Sequence, residues 1–294
     1  NLQHGWRYMF ALGAAPAILF AIAITFSKES PRWLMKVGRE NEAERVLDAI
    51  NGPSAAAEES SAIRASLAQE EGHLSELFRG PFRKALLIGF VLAALTQASG
   101  ITSVLSFLPE VFKSAGQTSA DAFRQAVLVG AVNVVFTMVA IWLVDKAGRR
   151  SLILFGTAVQ TISLAAVGVL YMHAGHSLGV LAGIMAFVSG HAVGNGAVCW
   201  VIISEIFPNK VRGAAMSMAT VALWASAYLA NLFFPMMQRH FGSHGTFFFF
   251  AVMAAIDFVF VLLVVPETKG FSLEEISGMW AKGAKPVLSR GSTL

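Results

Sequence analysis

Long uncharged apolar blocks alternate with short charged connections along most of this chain. A helix crosses the hydrocarbon core with roughly 20 apolar residues. Seven blocks approach or reach that length, at about 8–27, 84–110, 125–145, 151–172, 178–204, 213–237 and 246–266. The pattern predicts seven transmembrane helices. The one long interruption is 28–83, rich in Glu, Arg, Ser and Ala. Within it NEAERVLDAI and SSAIRASLAQEE read as short amphipathic helices, separated by Gly52-Pro53. The interruption has too few apolar residues to predict a globular core, so it reads as a helical loop.

Composition agrees with that pattern. The 294 residues are 55% hydrophobic and 14% charged, against about 25% charged in an ordinary soluble domain. Cys199 is the only cysteine, which excludes an intrachain disulfide framework and a cysteine-rich metal site. The formal charge of +4 does not predict nucleic-acid binding, because the basic residues fall between apolar blocks rather than on one soluble face. They report topology instead. Eighteen Lys and Arg fall on the side of 28–84, 146–150, 210–212 and the tail, against four on the other side. The excess places the long loop and the tail in the cytoplasm. The opening NLQHGWRY does not have the form of a signal peptide, and the chain reads as one that begins in mid-protein.

One block carries an internal contradiction. TQASGITS, in the second span, brings an amide, four hydroxyls and a glycine to the middle of an apolar run. Hydrocarbon gives such groups no partner, so each must face something polar.

Charged clusters end four of the spans on the cytoplasmic side: KESPRWLMKVGRENEAERVL, DKAGRR, SEIFPNKVRG and PETKGFSLEEI. This set, in this order, resembles the second half of the sugar porter family of the major facilitator superfamily. The family patterns are P-E-S-P-R-W-L, D-x-x-G-R-R, E-x-F-P-x-x-x-R-G and P-E-T-K-G, and the likeness runs from about Gly5 to Ile276. Lys28 stands where the family usually has proline. The resemblance implies an all-α integral membrane protein with a partial major facilitator fold, seven helices of an expected twelve. Residues 1–27 would end the N-terminal half as its sixth helix and 28–83 would form the cytoplasmic loop. Residues 84–266 would form the C-terminal six-helix half, and 267–294 the cytoplasmic tail. The partners implied are a monosaccharide or polyol substrate, the lipid bilayer, the missing N-terminal helices and, in a symporter, protons. No cofactor is implied.

The resemblance also answers the contradiction in TQASGITS. The family has Q-Q-x-S-G-x-N-x-x-x-Y-Y on its seventh helix, where amides and aromatics bind sugar hydroxyls. Here Gln97, Ser99 and Gly100 match, whereas Thr96, Thr102 and Ser106-Phe107 replace the first Gln, the Asn and the Tyr pair. Gln97, Thr102, Asn133, Trp200 and Trp224 are the substrate-binding candidates by position, although Leu223 replaces the amide that usually precedes Trp224. His191 joins them because a mid-membrane histidine is a functional candidate by default. For each, the plain alternative is helix–helix packing or bonding to its own backbone. Gly194 and Gly196 either let the helix flex near the site or serve close packing. Asp257, within the last span, reads as a hydrogen-bonded structural carboxyl, ionised or protonated, with a role in coupling as the alternative.

Asp145, Arg149, Arg150, Glu205, Arg212 and Glu267 match the charged motifs. They are expected either as solvated topology signals or as an ion-pair cluster that holds the cytoplasmic side closed. No nucleophile triad, metal cluster or phosphate loop is visible, so the chain does not read as an enzyme. The expectation is a multi-pass carrier of a bacterial inner membrane. The alternatives are a carrier of another small solute, a non-transporting sensor or a truncated product.

Overall fold

The computed structural model describes residues 5–68, 78, 82–173, 177–207 and 209–270. The expected tail beyond Gly270 and Pro208 of the third motif lie outside the described residues. The described residues fall into two compact units, 1–71 and 72–294.

In the first unit, α1 (Gly5–Thr25) is followed by α2 (Pro31–Lys36), α3 (Glu40–Asn51) and α4 (Pro53–Ala68). At about 1.5 Å per residue, the 21 residues of α1 extend roughly 30 Å, enough for a hydrocarbon core. Ser30 precedes Pro31, whose fixed φ suits the first helical turn. Gly52, at φ 80°, ends α3 before Pro53 starts α4. The three short helices do bury a small apolar cluster of their own: Leu34, Met35, Ala43, Leu47 and Ala56. The sequence reading expected no core here. Amphipathic α3 supplies one by closing over α2 and α4, and Arg64 bridges Glu40 at 2.6 Å and Glu44 at 3.2 Å.

The second unit begins with α5 (Phe82–Ala98), α6 (Ile101–Ser106) and α7 (Leu108–Ser114), three pieces of one expected span. Then come α8 (Ser119–Ala147), α9 (Arg149–Met172) and α10 (Ser177–His191), a π-turn at Ala192–Gly196, α11 (Ala197–Glu205) and α12 (Asn209–Val264). Thr118 caps α8 by accepting the Asp121 amide at 3.2 Å. The 56 residues of α12 are two limbs that meet at Gly242, where φ is 66° and ψ is 177°. Phe234 and Phe250 lie eight residues to either side and stack with centroids 6.1 Å apart. In one continuous helix they would be about 24 Å apart, so the limbs form a hairpin. Expected loop residues 238–245 are thus a tight turn within helix. Among the described residues five helical segments are long and apolar enough to cross a membrane: α5–α6, α8, α9, α10–α11 and α12, the last folded into two limbs; α1 contributes a shorter apolar stretch, Phe10–Thr25.

Two apolar clusters form the core of this unit. One contains Leu92, Ile153, Ile202, Phe207 and Val261, and the other Phe112, Leu164, Ile184, Phe187 and Phe247. Along α5, α9 and the second limb of α12, buried polar residues occupy the boundary between clusters. They are Thr96 and Ser99, Thr157 and Gln160, and Asp257. The half therefore has a polar layer inside its helix bundle. Backbones also approach closely there: a Cβ on Gly194 would lie 2.9 Å from the Gly156 Cα, a small-residue crossing of the kind membrane helices use.

Candidate substrate site and charged cluster

The polar stretch divides between two faces. Thr96 and Ser99 turn inward: Thr96 Oγ1 donates to the Leu92 carbonyl at 2.9 Å, and Ser99 Oγ to the Thr96 carbonyl at 3.0 Å. Ser103 is also fully buried. Thr96 and Ser99 thus satisfy the membrane's demand mainly through their own backbone, whereas Ser103 Oγ is buried without a protein partner. Gln97 and Thr102 are only half-buried, on the other face. Thr102 Oγ1 donates to Gln97 Oε1 at 2.6 Å across the break between α5 and α6. The break belongs to Gly100, whose φ is 82° and whose missing Cβ would meet the Phe250 ring at 2.6 Å. Any side chain at position 100 is thus opposed by backbone conformation and by space. The break brings residues 97 and 102 together and leaves the Gln97 amide nitrogen available to a ligand.

A contact between helices fixes the depth of this pair. Thr96 Oγ1 lies 3.5 Å from Cys199 Sγ, which puts the next residues, Gln97 and Trp200, within about 3 Å of one level along the antiparallel helices. Trp200 is half-buried and packs on the first apolar cluster. Phase matters for His191. Nine α-helical residues separate it from Trp200, which places the two on opposite faces. The π-turn accommodates one extra residue and shifts that phase by about 100°, so the side chains come within about a quarter turn. His191 is half-buried, with Nδ1 buried and unpartnered. Gly196 follows it closely, because a Cβ there would be 3.3 Å from the His191 carbonyl.

Two candidates sit on other helices. Asn133 is half-buried on α8, and its carbonyl accepts from Thr137 Oγ1 at 2.8 Å. Trp224, 63% exposed, is on the first limb of α12. Ser226 anchors that limb by donating to the Ala94 carbonyl at 2.8 Å, one turn before Gln97. Of the two residues at the tyrosine-pair position, Ser106 is exposed and Phe107 is occupied, stacking on Phe234 with centroids 5.0 Å apart.

Arg149 is the centre of the charged cluster. Its Nη2 reaches Asp145 Oδ1 at 3.0 Å and Glu205 Oε1 at 3.2 Å, and Nη1 donates to the Val144 carbonyl at 3.3 Å. It thereby ties the ends of α8, α9 and α11. Arg150 Nη2 instead donates to the Leu262 carbonyl at 2.7 Å, and Arg212 Nε to the Phe207 carbonyl at 3.3 Å. Glu267 caps α9. Its carboxylate accepts the amides of Arg149 at 3.1 Å and Arg150 at 3.2 Å, where the helix dipole favours an anion. Gly148, φ 88°, allows this approach, since its Cβ would lie 2.8 Å from Glu267 Oε2. Asp145, Arg149 and Glu205 thus form one ion-pair centre, and Arg150, Arg212 and Glu267 each also bond backbone groups.

Sequence reasoning did not anticipate the bond between Asn195 in the π-turn and Asp257 on α12. Asn195 Nδ2 donates to Asp257 Oδ2 at 2.6 Å, and both side chains are buried. The available signal was an amide and an acid, each within an otherwise apolar block.

Comparison with known proteins follows the same outline. Residues 1–280 match the family model described as sugar (and other) transporter. The chain is 40% identical over 284 residues to the arabinose-proton symporter of Bacillus subtilis (strain 168), covering 96% of this chain and 61% of that protein. It is 36% identical over 290 residues to the D-xylose-proton symporter of Escherichia coli (strain K12), covering 96% and 58%. The solved structure of the major facilitator proton:xylose symporter XylE bound to 6-bromo-6-deoxy-D-glucose matches with a TM-score of 0.79 and 36% identity. That match covers 94% of this chain and 59% of XylE. The chain thus spans about six-tenths of these relatives' length. It is a multi-pass membrane protein that belongs to the sugar transporter family of the major facilitator superfamily.

Proposed function

We propose that the chain supplies the C-terminal half of a carrier that moves a monosaccharide or polyol across a bacterial inner membrane by alternating access. The observation that carries this reading is the Gln97–Thr102 pair, held beside a broken helix near the depth of Trp200. An amide offers hydrogen bonds to sugar hydroxyls, and an indole gives the C–H face of a sugar ring a flat apolar platform. Asn133, His191 and Trp224 extend the surface. The other wall would come from the N-terminal helices, as the general two-half plan requires. The named relatives are pentose-proton symporters, which supports a pentose substrate and proton coupling. The cluster around Arg149 would be the cytoplasmic gate.

One feature favours a second reading, a solute with fewer hydroxyls. Phe107 and the buried Leu223 replace polar family residues, and Thr102 already spends its donor on Gln97.

A completed carrier, made by joining the chain behind the first five helices of the arabinose-proton symporter, separates the two. Gln97→Ala removes a ligand amide and frees the Thr102 hydroxyl from its partner. It should weaken binding of labelled L-arabinose or D-xylose about tenfold, one hydrogen bond's net contribution. Unchanged affinity for both pentoses would remove Gln97 from the site and favour the second reading.

A further inference from the structure

The polar layer holds a buried pair whose hydrogen bonds are incomplete as ordinarily drawn. Asp257 is 0% exposed and Asn195 is 1% exposed. The bond from Asn195 Nδ2 to Asp257 Oδ2 leaves Asn195 Oδ1 and Asp257 Oδ1 buried, each without a protein partner. With an ionised carboxylate both leftover atoms are acceptors, and two acceptors cannot bond each other. The carboxylate would also be a buried charge with no cation paired to it among the described residues. A single proton on Asp257 Oδ1 changes both facts. The acid becomes neutral, and its O–H can donate to Asn195 Oδ1 while Oδ2 still accepts from Nδ2. An acid and a primary amide then pair in both directions.

The neighbouring elements contain little that would compete for that proton. Cys199 on α11 is within electrostatic reach of Asp257 and is buried. His191, next to the π-turn, keeps Nδ1 buried and unpartnered. At this level α9 offers Thr157 and Gln160, and α5 offers Thr96 and Ser99, all uncharged. The ionisable residues of α9 are Arg149, Arg150 and Tyr171, at its two ends.

We propose that Asp257 is a proton-binding site of this half: a neutral carboxylic acid at pH 7 that bonds Asn195 in both directions and fixes the π-turn. No bond to carbon changes, and the proton stays on Oδ1. Because the π-turn sets the relative phase of His191 and Trp200, the pair is also a positioning device for the substrate surface. That second part rests on the sugar-carrier reading; the protonation does not.

Infrared difference spectroscopy of the purified chain at pH 7, wild type against Asp257→Asn, tests the protonation. Exposed carboxyls are ionised at that pH, so a buried neutral acid gives a protonated C=O stretch that the variant lacks and that shifts in D2O. Absence of that band, or carboxylate bands in its place, would overturn the proposal. If the variant does not fold, carboxyl-labelled aspartate in the wild type reads the same band by its isotope shift. The amide in Asp257→Asn still offers one donor and one acceptor. It should keep the wild-type melting temperature, whereas Asp257→Ala should lower it; equal losses in both would also count against the pair. In the completed carrier, Asp257→Ala should weaken pentose binding at least fivefold and Asp257→Asn less than twofold. With the infrared band present, pentose affinity that ignores both variants would overturn the positioning role alone.

Discussion

Arg149→Gln should shift the completed carrier toward its inward-open state by roughly thirtyfold. The guanidinium ties three helix ends at once, through Asp145, Glu205 and the Val144 carbonyl. The contributions are unequal. Asp145 is 78% exposed, and an ion pair in water contributes about 0–1 kcal/mol. Glu205 is 23% exposed and Arg149 only 15%, and Glu205 Oε2 is already buried without a partner. Removing the cation strands that carboxylate. A fully buried broken pair costs about 3–5 kcal/mol; discounted for partial exposure, roughly 2 kcal/mol remains, or about thirtyfold in a two-state population. Arg149→Lys keeps the charge but loses the planar fork that reaches two acceptors, and should give a smaller shift. The measurement is labelling of single cysteines placed in the inner vestibule, from the cytoplasmic side. Wild-type labelling rates in Arg149→Gln would mean that these charges serve topology alone.

Trp200→Ala should weaken pentose binding by thirtyfold or more without unfolding the protein. The half-buried indole packs on the apolar cluster that contains Leu92, Ile153 and Ile202, which restrains the ring and leaves part of it accessible. An aromatic anchor of this kind contributes roughly 2 kcal/mol or more to binding, about thirtyfold. Trp224 provides the internal comparison. It is mostly exposed, and Leu223 beside it points inward instead of offering an amide. Trp224→Ala should therefore cost less than Trp200→Ala. Titration of labelled pentose against each variant gives the ranking, and the reverse order would relocate the sugar platform to α12.

The division of the chain into spans was legible because hydrophobic length is a local property that each block carries by itself. The motif charges were legible for the same reason. The faces of the polar groups were not. A threonine in an apolar run states only that it needs a partner. Thr96 and Ser99 found backbone carbonyls of their own helix, while Gln97 and Thr102 found each other only because Gly100 breaks that helix. Glycines announced freedom at 100, 194 and 196, but not its use. Gly100 is a break, Gly194 a backbone crossing and Gly242 a hairpin turn. The Asn195–Asp257 bond joins residues 62 apart in sequence, so no local pattern could reveal it. Likewise, the small core of α2–α4 depends on three helices closing together, which counting apolar residues underestimates.

Saturable uptake of labelled pentose into liposomes is the most direct test of whether this chain is one half of a sugar carrier. The chain alone is expected to give no uptake above that of empty liposomes, because its polar surface lacks an opposing half. Joined behind the first five helices of the arabinose-proton symporter, it is expected to give uptake that saturates, is competed by unlabelled pentose and falls sharply in Trp200→Ala. Saturable uptake by the chain alone, or uptake by the completed carrier that ignores Trp200→Ala, would contradict that assignment.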